Sequence, residues 1–142
     1  MKVNRWATFL ADFPDDRIDG DNDVIRYGGQ GVTAAIGELL TGLGCKVSDP
    51  IDAQEHGWEL NVETNGRHLW CQVTDLGYFI LGFDDTSIVD KFMQKRNPTY
   101  IEMIKKLSIA LNEDPRFHDI KWHSDADGPH PDSPYTLGPV VE

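Results

Sequence analysis

The stretch Gly57–Val73, GWELNVETNGRHLWCQV, constrains the fold more than any other part of the sequence. Its Asn65-Gly66 pair stands between two runs in which apolar and polar residues alternate. Asn and Gly both tolerate a positive φ, which a two-residue type I′ turn requires at both of its central positions. The pattern therefore predicts a β-hairpin with strands over residues 58–64 and 67–73.

The turn also predicts the register of this hairpin. Thr64 faces Arg67 across the turn. Each further pair lies one residue farther from the turn on both strands. One face then holds three apolar pairs, namely Trp58 with Val73, Leu60 with Cys71, and Val62 with Leu69. Burying such a side chain stabilises a fold by roughly 1.5–3 kcal/mol. We therefore expect this face of the hairpin to lie on the core.

The opposite face of the hairpin is polar around one tryptophan. It pairs Glu59 with Gln72, Asn61 with Trp70, and Glu63 with His68. Large aromatic side chains are mostly buried, so one expectation is that another part of the chain covers Trp70. The alternative is a partner-binding face, because a tryptophan surrounded by polar groups is a frequent interface anchor.

Helical spacing of apolar residues predicts two main helices, over residues 32–43 and 98–112. Gly44 offers a C-terminal stop for the first helix. Asn97-Pro98 offers the second helix a capping side chain followed by proline at the first helical position. A shorter helix is expected over residues 86–95.

The remaining segments predict one more helix and several strands. Asn4 can cap a short helix that Pro14 ends. Its apolar side would consist of Trp6, Phe9, Leu10 and Phe13. Residues 45–52 predict a short or edge strand, because Pro50 lacks the backbone donor that a central strand needs. Residues 78–83 are apolar on both faces, which is typical of a central strand.

The last predicted strand is FHDIKWH, residues 117–123. In a regular strand His118, Ile120 and Trp122 share one face, whereas Asp119, Lys121 and His123 share the other. The tail over residues 124–142 contains four prolines. We expect that tail to be extended or disordered, or to wrap the surface.

Together these elements predict an α+β fold with one domain over residues 1–123. Its single antiparallel sheet of four to five strands is built on the central hairpin (58–64/67–73). The two main helices (32–43 and 98–112) pack against that sheet.

Charge restricts the partners of this chain. Its 142 residues carry a formal net charge of −11, and only residues 90–107 are net basic. Such a surface repels nucleic acid and anionic membranes and attracts a basic protein. The sequence has neither a run of 18 apolar residues nor a signal-peptide pattern at its N-terminus. We therefore expect a cytoplasmic protein with a basic protein partner and with no nucleic-acid or membrane partner.

The residues that carry chemistry in other proteins do not form an active-site motif here. Cys45 and Cys71 are expected to be buried, reduced thiols. The five histidines are not spaced as zinc ligands, and the acidic stretch 19–30 lacks the Gly and Glu of a calcium loop. Gly28–Gly31 precedes a helix but lacks the Lys-Ser/Thr of a phosphate-binding loop. We predict no metal, no cofactor and no catalytic residue.

The first helix, the GWELNV…GRHLWCQV sheet, the second helix and the closing DPRFHDIKW resemble small acidic bacterial immunity proteins of polymorphic-toxin systems. The resemblance implies a protein that binds and neutralises one cognate toxin. It assigns no functional residue in this chain.

Three functions remain open. The first is a small acidic module that binds a basic protein and could be immunity-like, with the partner-binding residues Trp70, Glu59, Asn61, Glu63, His68 and Gln72. The second is a secretion-chaperone-like protein, which predicts a homodimer and a partner bound in extended form. The third is a ligand-binding domain or enzyme that uses Glu63, His68 and Trp70 within a deep pocket. Because no nucleophile is predicted beside His68, the sequence favours the non-enzymatic functions.

Overall fold

The computed structural model describes residues 1–86 and 97–142. Within these ranges the fold is α+β, and two long helices lie on one face of an antiparallel sheet. The predicted fold class is confirmed, but the main sheet has seven strands rather than four to five. The helix predicted over residues 86–95 lies outside the described residues, apart from Thr86.

The long helices are α1 (Gln30–Gly42) and α2 (Pro98–Glu113), and a 3₁₀ turn covers Gln54–His56. The strands are, in chain order, β1 (Lys2–Val3), β2 (Trp6–Ala11), β3 (Ile18–Asp19), β4 (Val24–Arg26), β5 (Lys46–Val47), β6 (Ile51–Asp52), β7 (Trp58–Thr64), β8 (Arg67–Asp75), β9 (Phe79–Asp85), β10 (Phe117–His123) and β11 (Val140–Val141). The main sheet has the order β10-β2-β9-β8-β7-β5, and β6 also pairs with β7. Two small sheets consist of β1 with β11 and β3 with β4.

The predicted hairpin is confirmed, with its register, by β7 and β8. Asn65 and Gly66 both take a positive φ, of 48° and 72°, as a type I′ turn requires. The six apolar residues of its core face are buried, the most exposed being Trp58 at 5%. The predicted central strand is confirmed as well, because β9 lies between β8 and β2.

Both long helices pack on the core face of the sheet. α1 contacts β5, β7 and β8, while α2 contacts β9 and β10. The Tyr100 hydroxyl of α2 donates a hydrogen bond of 2.6 Å to the carbonyl oxygen of Phe83 in β9. The predicted cap of α2 is confirmed, because the Asn97 side chain accepts a hydrogen bond of 2.8 Å from the backbone N–H of Thr99.

The predicted N-terminal helix is wrong, because these residues form β2. Ala7 and Phe9, two positions apart, are buried on the core face. Trp6 and Thr8 point to the other face, which is the alternation of a strand rather than the spacing of a helix. β2 lies between β9 and β10, so its backbone pairs along both edges. This long-range pairing overrides the local helical pattern.

A bulge interrupts β10. Its pairing with β2 shifts between His118 and Lys121. Asp119 lies at this shift and has a φ of 56°, which few residues other than glycine adopt. One extra residue in one strand of an antiparallel pair is the definition of a β-bulge.

The bulge corrects the predicted faces of the last strand. Phe117 and Trp122 are five positions apart, yet both are buried in the core. His118 and His123, predicted on opposite faces, both pair with residues of β2 that point away from the helices. The predicted grouping of His118 with Ile120 and Trp122 is therefore wrong.

The C-terminal tail, residues 124–142, runs back along the sheet. The backbones of Trp122 and Thr136 exchange two hydrogen bonds, of 2.9 and 2.8 Å. The backbone N–H of Asn4 donates a hydrogen bond of 2.7 Å to the carbonyl oxygen of Pro139. Pairing of β11 with β1 completes the attachment of the tail to the N-terminal segment.

Candidate interaction face

The outer face of the sheet, meaning the face turned away from α1 and α2, holds the six polar-face residues that the sequence singles out. Strand pairing places Glu59 opposite Gln72, Asn61 opposite Trp70, and Glu63 opposite His68. Pairing of β8 with β9 and of β9 with β2 extends this face to Asp84, Gly82 and Trp6. The outer face is therefore one continuous surface across β7, β8, β9 and β2.

Two tryptophans meet in the middle of the outer face. The ring centroids of Trp6 and Trp70 are 6.4 Å apart, and their planes stand at 83°, an edge-to-face contact. Both side chains are partly exposed. A Cβ placed on Gly82 would come within 2.6 Å of Cζ3 of Trp6 and 3.0 Å of Cζ3 of Trp70. The two indoles fit over β9 because Gly82 has no side chain.

Arg5 and two carboxylates position Trp6. Nε of Arg5 donates a hydrogen bond of 2.8 Å to Oδ1 of Asp125, and its Nη1 donates to the carboxylate of Asp84. Oδ1 of Asp125 also accepts a hydrogen bond of 2.6 Å from the indole N–H of Trp6. Burial lowers the pKa of Arg5, but the hydrogen bond to Asp125 and the charge of Asp84 outweigh it and raise that pKa above its ordinary value.

The polar pairs beside Trp70 lie on open surface. Nε2 of Gln72 donates a hydrogen bond of 3.0 Å to Oε1 of Glu59. Nδ1 of His68 is 3.5 Å from Oε1 of Glu63, and the two side chains are 68% and 48% exposed. An ion pair this exposed contributes about 0–1 kcal/mol to stability. Acid-base chemistry at this pair would need a deep pocket, whereas both side chains stand out in solvent.

The tail covers one half of the outer face, over β10 and the adjoining middle of β2. His123 is fully buried there. Its Nδ1 donates a hydrogen bond of 2.9 Å to the carbonyl oxygen of Pro134, since a carbonyl can only accept. Its Nε2 is 2.8 Å from Oγ1 of Thr8. The uncovered remainder, called the open face below, consists of Trp6, Glu59, Asn61, Glu63, His68, Trp70 and Gln72.

One edge of the open face is strongly negative. Residues 46–63, called the acidic edge below, contain five carboxylates and one lysine. These groups are Asp49, Asp52, Glu55, Glu59, Glu63 and Lys46. All except the partly buried Glu59 are exposed. β5 and β6 both pair with β7, and β7 pairs with β8, the strand that carries Trp70. The acidic edge therefore lies directly beside the strand of Trp70.

The glycine-rich entry to α1 is not free to bind an anion, because Asp16 occupies it. The two oxygens of the Asp16 carboxylate accept hydrogen bonds of 2.8 Å each from the backbone N–H groups of Gly29 and Gly31. A negative charge at a helix N-terminus is favourable. Asp16 stands 15 residues before Gly31, so no local spacing in the sequence indicates this cap.

The thiols and the metal-binding residue types form no reactive centre among the described residues. Cys45 and Cys71 are buried and free, as predicted. Burial raises the pKa of Cys71 to about 12 and also raises the pKa of Cys45. A thiol with a raised pKa is a poor nucleophile at neutral pH. No group of three or more His, Cys, Asp or Glu side chains within residues 1–86 and 97–142 is placed to hold a metal ion.

Trp6 lies on this face and Arg5 beside it, although the helical spacing of the apolar residues around them predicts a helix there. The alternation of Trp6, Thr8 and Leu10 with Ala7 and Phe9 was the available signal, and it indicates a strand with Trp6 on its outer face.

Fold and site define an α+β protein whose antiparallel sheet is covered by two helices on one face and is partly open on the other. No helix in the part of the chain that the structure describes has the length and apolar character needed to cross a membrane. Comparison with models of protein families, with curated proteins and with solved structures finds no match for this chain.

Proposed function

We propose that this chain is a protein-binding module that takes a basic protein partner on the open face. The observation that carries the proposal is the Trp6–Trp70 pair, which is partly exposed at the centre of a sheet face. Tryptophan is enriched among the few residues that dominate binding energy at interfaces, and such residues cluster near the interface centre. Trp70 and Trp6 are the anchors of this site.

The acidic edge supports a basic partner. Five carboxylates against one lysine give residues 46–63 a formal charge of −4. Complementary charge accelerates encounter and excludes partners of the same sign, while it adds less to affinity itself. In this proposal the tryptophans hold the partner and the acidic edge steers it. Raising the salt concentration should therefore slow association more than it speeds dissociation.

Neutralisation of a toxin is the form of this function that the resemblance to immunity proteins supports. An immunity protein would bind one cognate toxin in a stoichiometric complex and abolish its activity. A secretion chaperone would instead be a stable homodimer that holds its partner in extended form. The mass of the protein and of its complex in solution distinguishes the two.

The experiment that tests the proposal is affinity capture of the tagged full chain from its own cell lysate, read by mass spectrometry. Trp70→Glu is the test variant. Ile109→Glu is its matched control, because Ile109 is 57% exposed on α2 and the substitution adds the same charge away from the open face. Melting curves establish that both variants fold.

We expect the native protein and the Ile109→Glu variant to capture one basic protein in stoichiometric amount. With that protein purified, Trp70→Glu should weaken binding by more than about tenfold, since a hot-spot residue contributes about 2 kcal/mol or more. Equal binding by a folded Trp70→Glu variant would exclude the open face as the interface. Capture of no basic protein would exclude the proposed function.

A further inference from the structure

The covered half of the outer face contains a cavity of about 330 Å³. It lies where the tail crosses β2 and β10, beside the turn between β8 and β9. Its lining is largely apolar and includes Thr8, Leu10, Tyr78, Asp119 and Pro131. Leu10 is 46% exposed, so the cavity opens to solvent. Its volume is near the lower limit of roughly 300 Å³ for ligand pockets and suits a single side chain.

Asp119 places a carboxylate in this apolar lining. It occupies the bulge of β10 with a φ of 56°. Bulges are frequent next to functional sites, where they re-aim a side chain. Glycine would suit this backbone better than aspartate, but it would remove the carboxylate.

Asp119 forms one exposed ion pair with Lys121, and an ion pair this exposed contributes about 0–1 kcal/mol. Its side chain is 59% exposed, and the nearest cation in the described part of the chain, Nζ of Lys121, is 3.8 Å from Oδ2. That separation exceeds a hydrogen bond. Nζ of Lys121 instead donates a hydrogen bond of 3.2 Å to the carbonyl oxygen of Pro131 and lies 5.1 Å from the ring centroid of Tyr135.

Two histidines lie near this corner. His118, one residue before Asp119, is paired with the carboxylate of Asp12, and the ring centroid of His130 is 5.7 Å from that of Tyr78. Asp119 is the one charged residue among the described residues that line the cavity, so the lining favours a cationic ligand with an apolar stem against Leu10 and Tyr78. An arginine side chain combines both parts, because its planar guanidinium binds a carboxylate and stacks on an aromatic ring.

We propose that this cavity, the Asp119 pocket, binds an arginine side chain of the basic partner. The proposal rests on the function proposed above. Leu10 and Trp6 are four residues apart on the outer side of β2, so about 13 Å separates the pocket from the open face. A single partner of ordinary interface size spans both sites.

The test is an NMR titration of the full chain, labelled with ¹⁵N, with N-acetyl-arginine methylamide. N-acetyl-citrulline methylamide is the matched probe, because it has a similar shape and no charge. We expect the arginine probe to shift the resonances of Leu10, Tyr78 and Asp119 and to bind more tightly than the citrulline probe. Asp119→Asn should weaken binding of the arginine probe by about tenfold, since it removes one charge-assisted contact.

Asp119→Gly provides a second variant that keeps the backbone conformation. It should lose the preference for arginine while melting at or above the native temperature. Equal binding of both probes to the native protein, or an unchanged arginine preference in either folded variant, would overturn the proposal. The titration needs no partner, so it can fail while partner capture succeeds. In that case the pocket assignment is wrong and the proposed function stands.

Discussion

At the scale of single residues, Gly82 decides how Trp6 and Trp70 pack on the outer face. Trp6 and Trp70 come from different strands, and Gly82 lies on the strand between them. The outward position of Trp70 follows from the Asn65-Gly66 turn alone. Its contact with Trp6 does not, because it depends on β2 and β9 becoming neighbours.

Gly82→Ala should destabilise the protein by about 1–3 kcal/mol, the usual effect of overpacking. The added methyl group would stand 2.6 Å from the ring of Trp6 and 3.0 Å from that of Trp70, so at least one indole must move. Urea denaturation followed by tryptophan fluorescence measures both the stability and the change in indole environment. Gly138→Ala is the control, since no atom lies within 4 Å of its added Cβ. Equal unfolding midpoints for the two variants would contradict this account of Gly82.

At the scale of secondary-structure elements, local signals predicted well the elements that they control. The hairpin turn and the cap of α2 depend on residues within a few positions of each other, and both are confirmed. β2 was predicted wrongly because its partners, β9 and β10, are far away in the sequence. The cap of α1 is not predicted for the same reason, since Asp16 lies between β2 and β3, 13 residues before Gly29.

Asp16→Ala should lower the free energy of unfolding by about 1 kcal/mol, the usual effect of removing a helix cap. The substitution leaves the backbone N–H groups of Gly29 and Gly31 without their carboxylate acceptor. Chemical denaturation of the purified variants provides the measurement. Asp21→Ala removes the same charge from an exposed position between β3 and β4 and serves as the control. If both variants unfolded at the same denaturant concentration, Asp16 would not be the cap of α1.

At the scale of the whole molecule, the C-terminal tail connects the N-terminal segment with the last strand of the sheet, β10. It pairs with β1, exchanges hydrogen bonds with Trp122 and buries His123. It also forms one wall of the Asp119 pocket through Pro131. The tail therefore sets the boundary between the covered half of the outer face and the open face.

Deleting residues 124–142 should destabilise the remaining domain by a few kcal/mol. Five hydrogen bonds of 2.7–2.9 Å join the tail to Asn4, Trp122 and His123, and each contributes about 1 kcal/mol net. Thermal melting of the truncated and full chains provides the measurement, with Asp132→Asn as a local control, because the Asp132 side chain is 94% exposed and makes none of these five bonds. A truncated chain with an unchanged melting temperature would mean that residues 1–123 fold independently of the tail.

The sequence by itself determined the hairpin, its register, the two long helices and the α+β class. These features follow from turn chemistry, side-chain periodicity and capping, which act over short stretches of chain. Only the tertiary structure decided that residues 6–11 form a strand, that Trp6 contacts Trp70 above Gly82, and that a bulge places Asp119 in the lining of a cavity. Each of these depends on backbone pairing between distant segments, because a strand obtains its hydrogen bonds from its neighbours and not from itself.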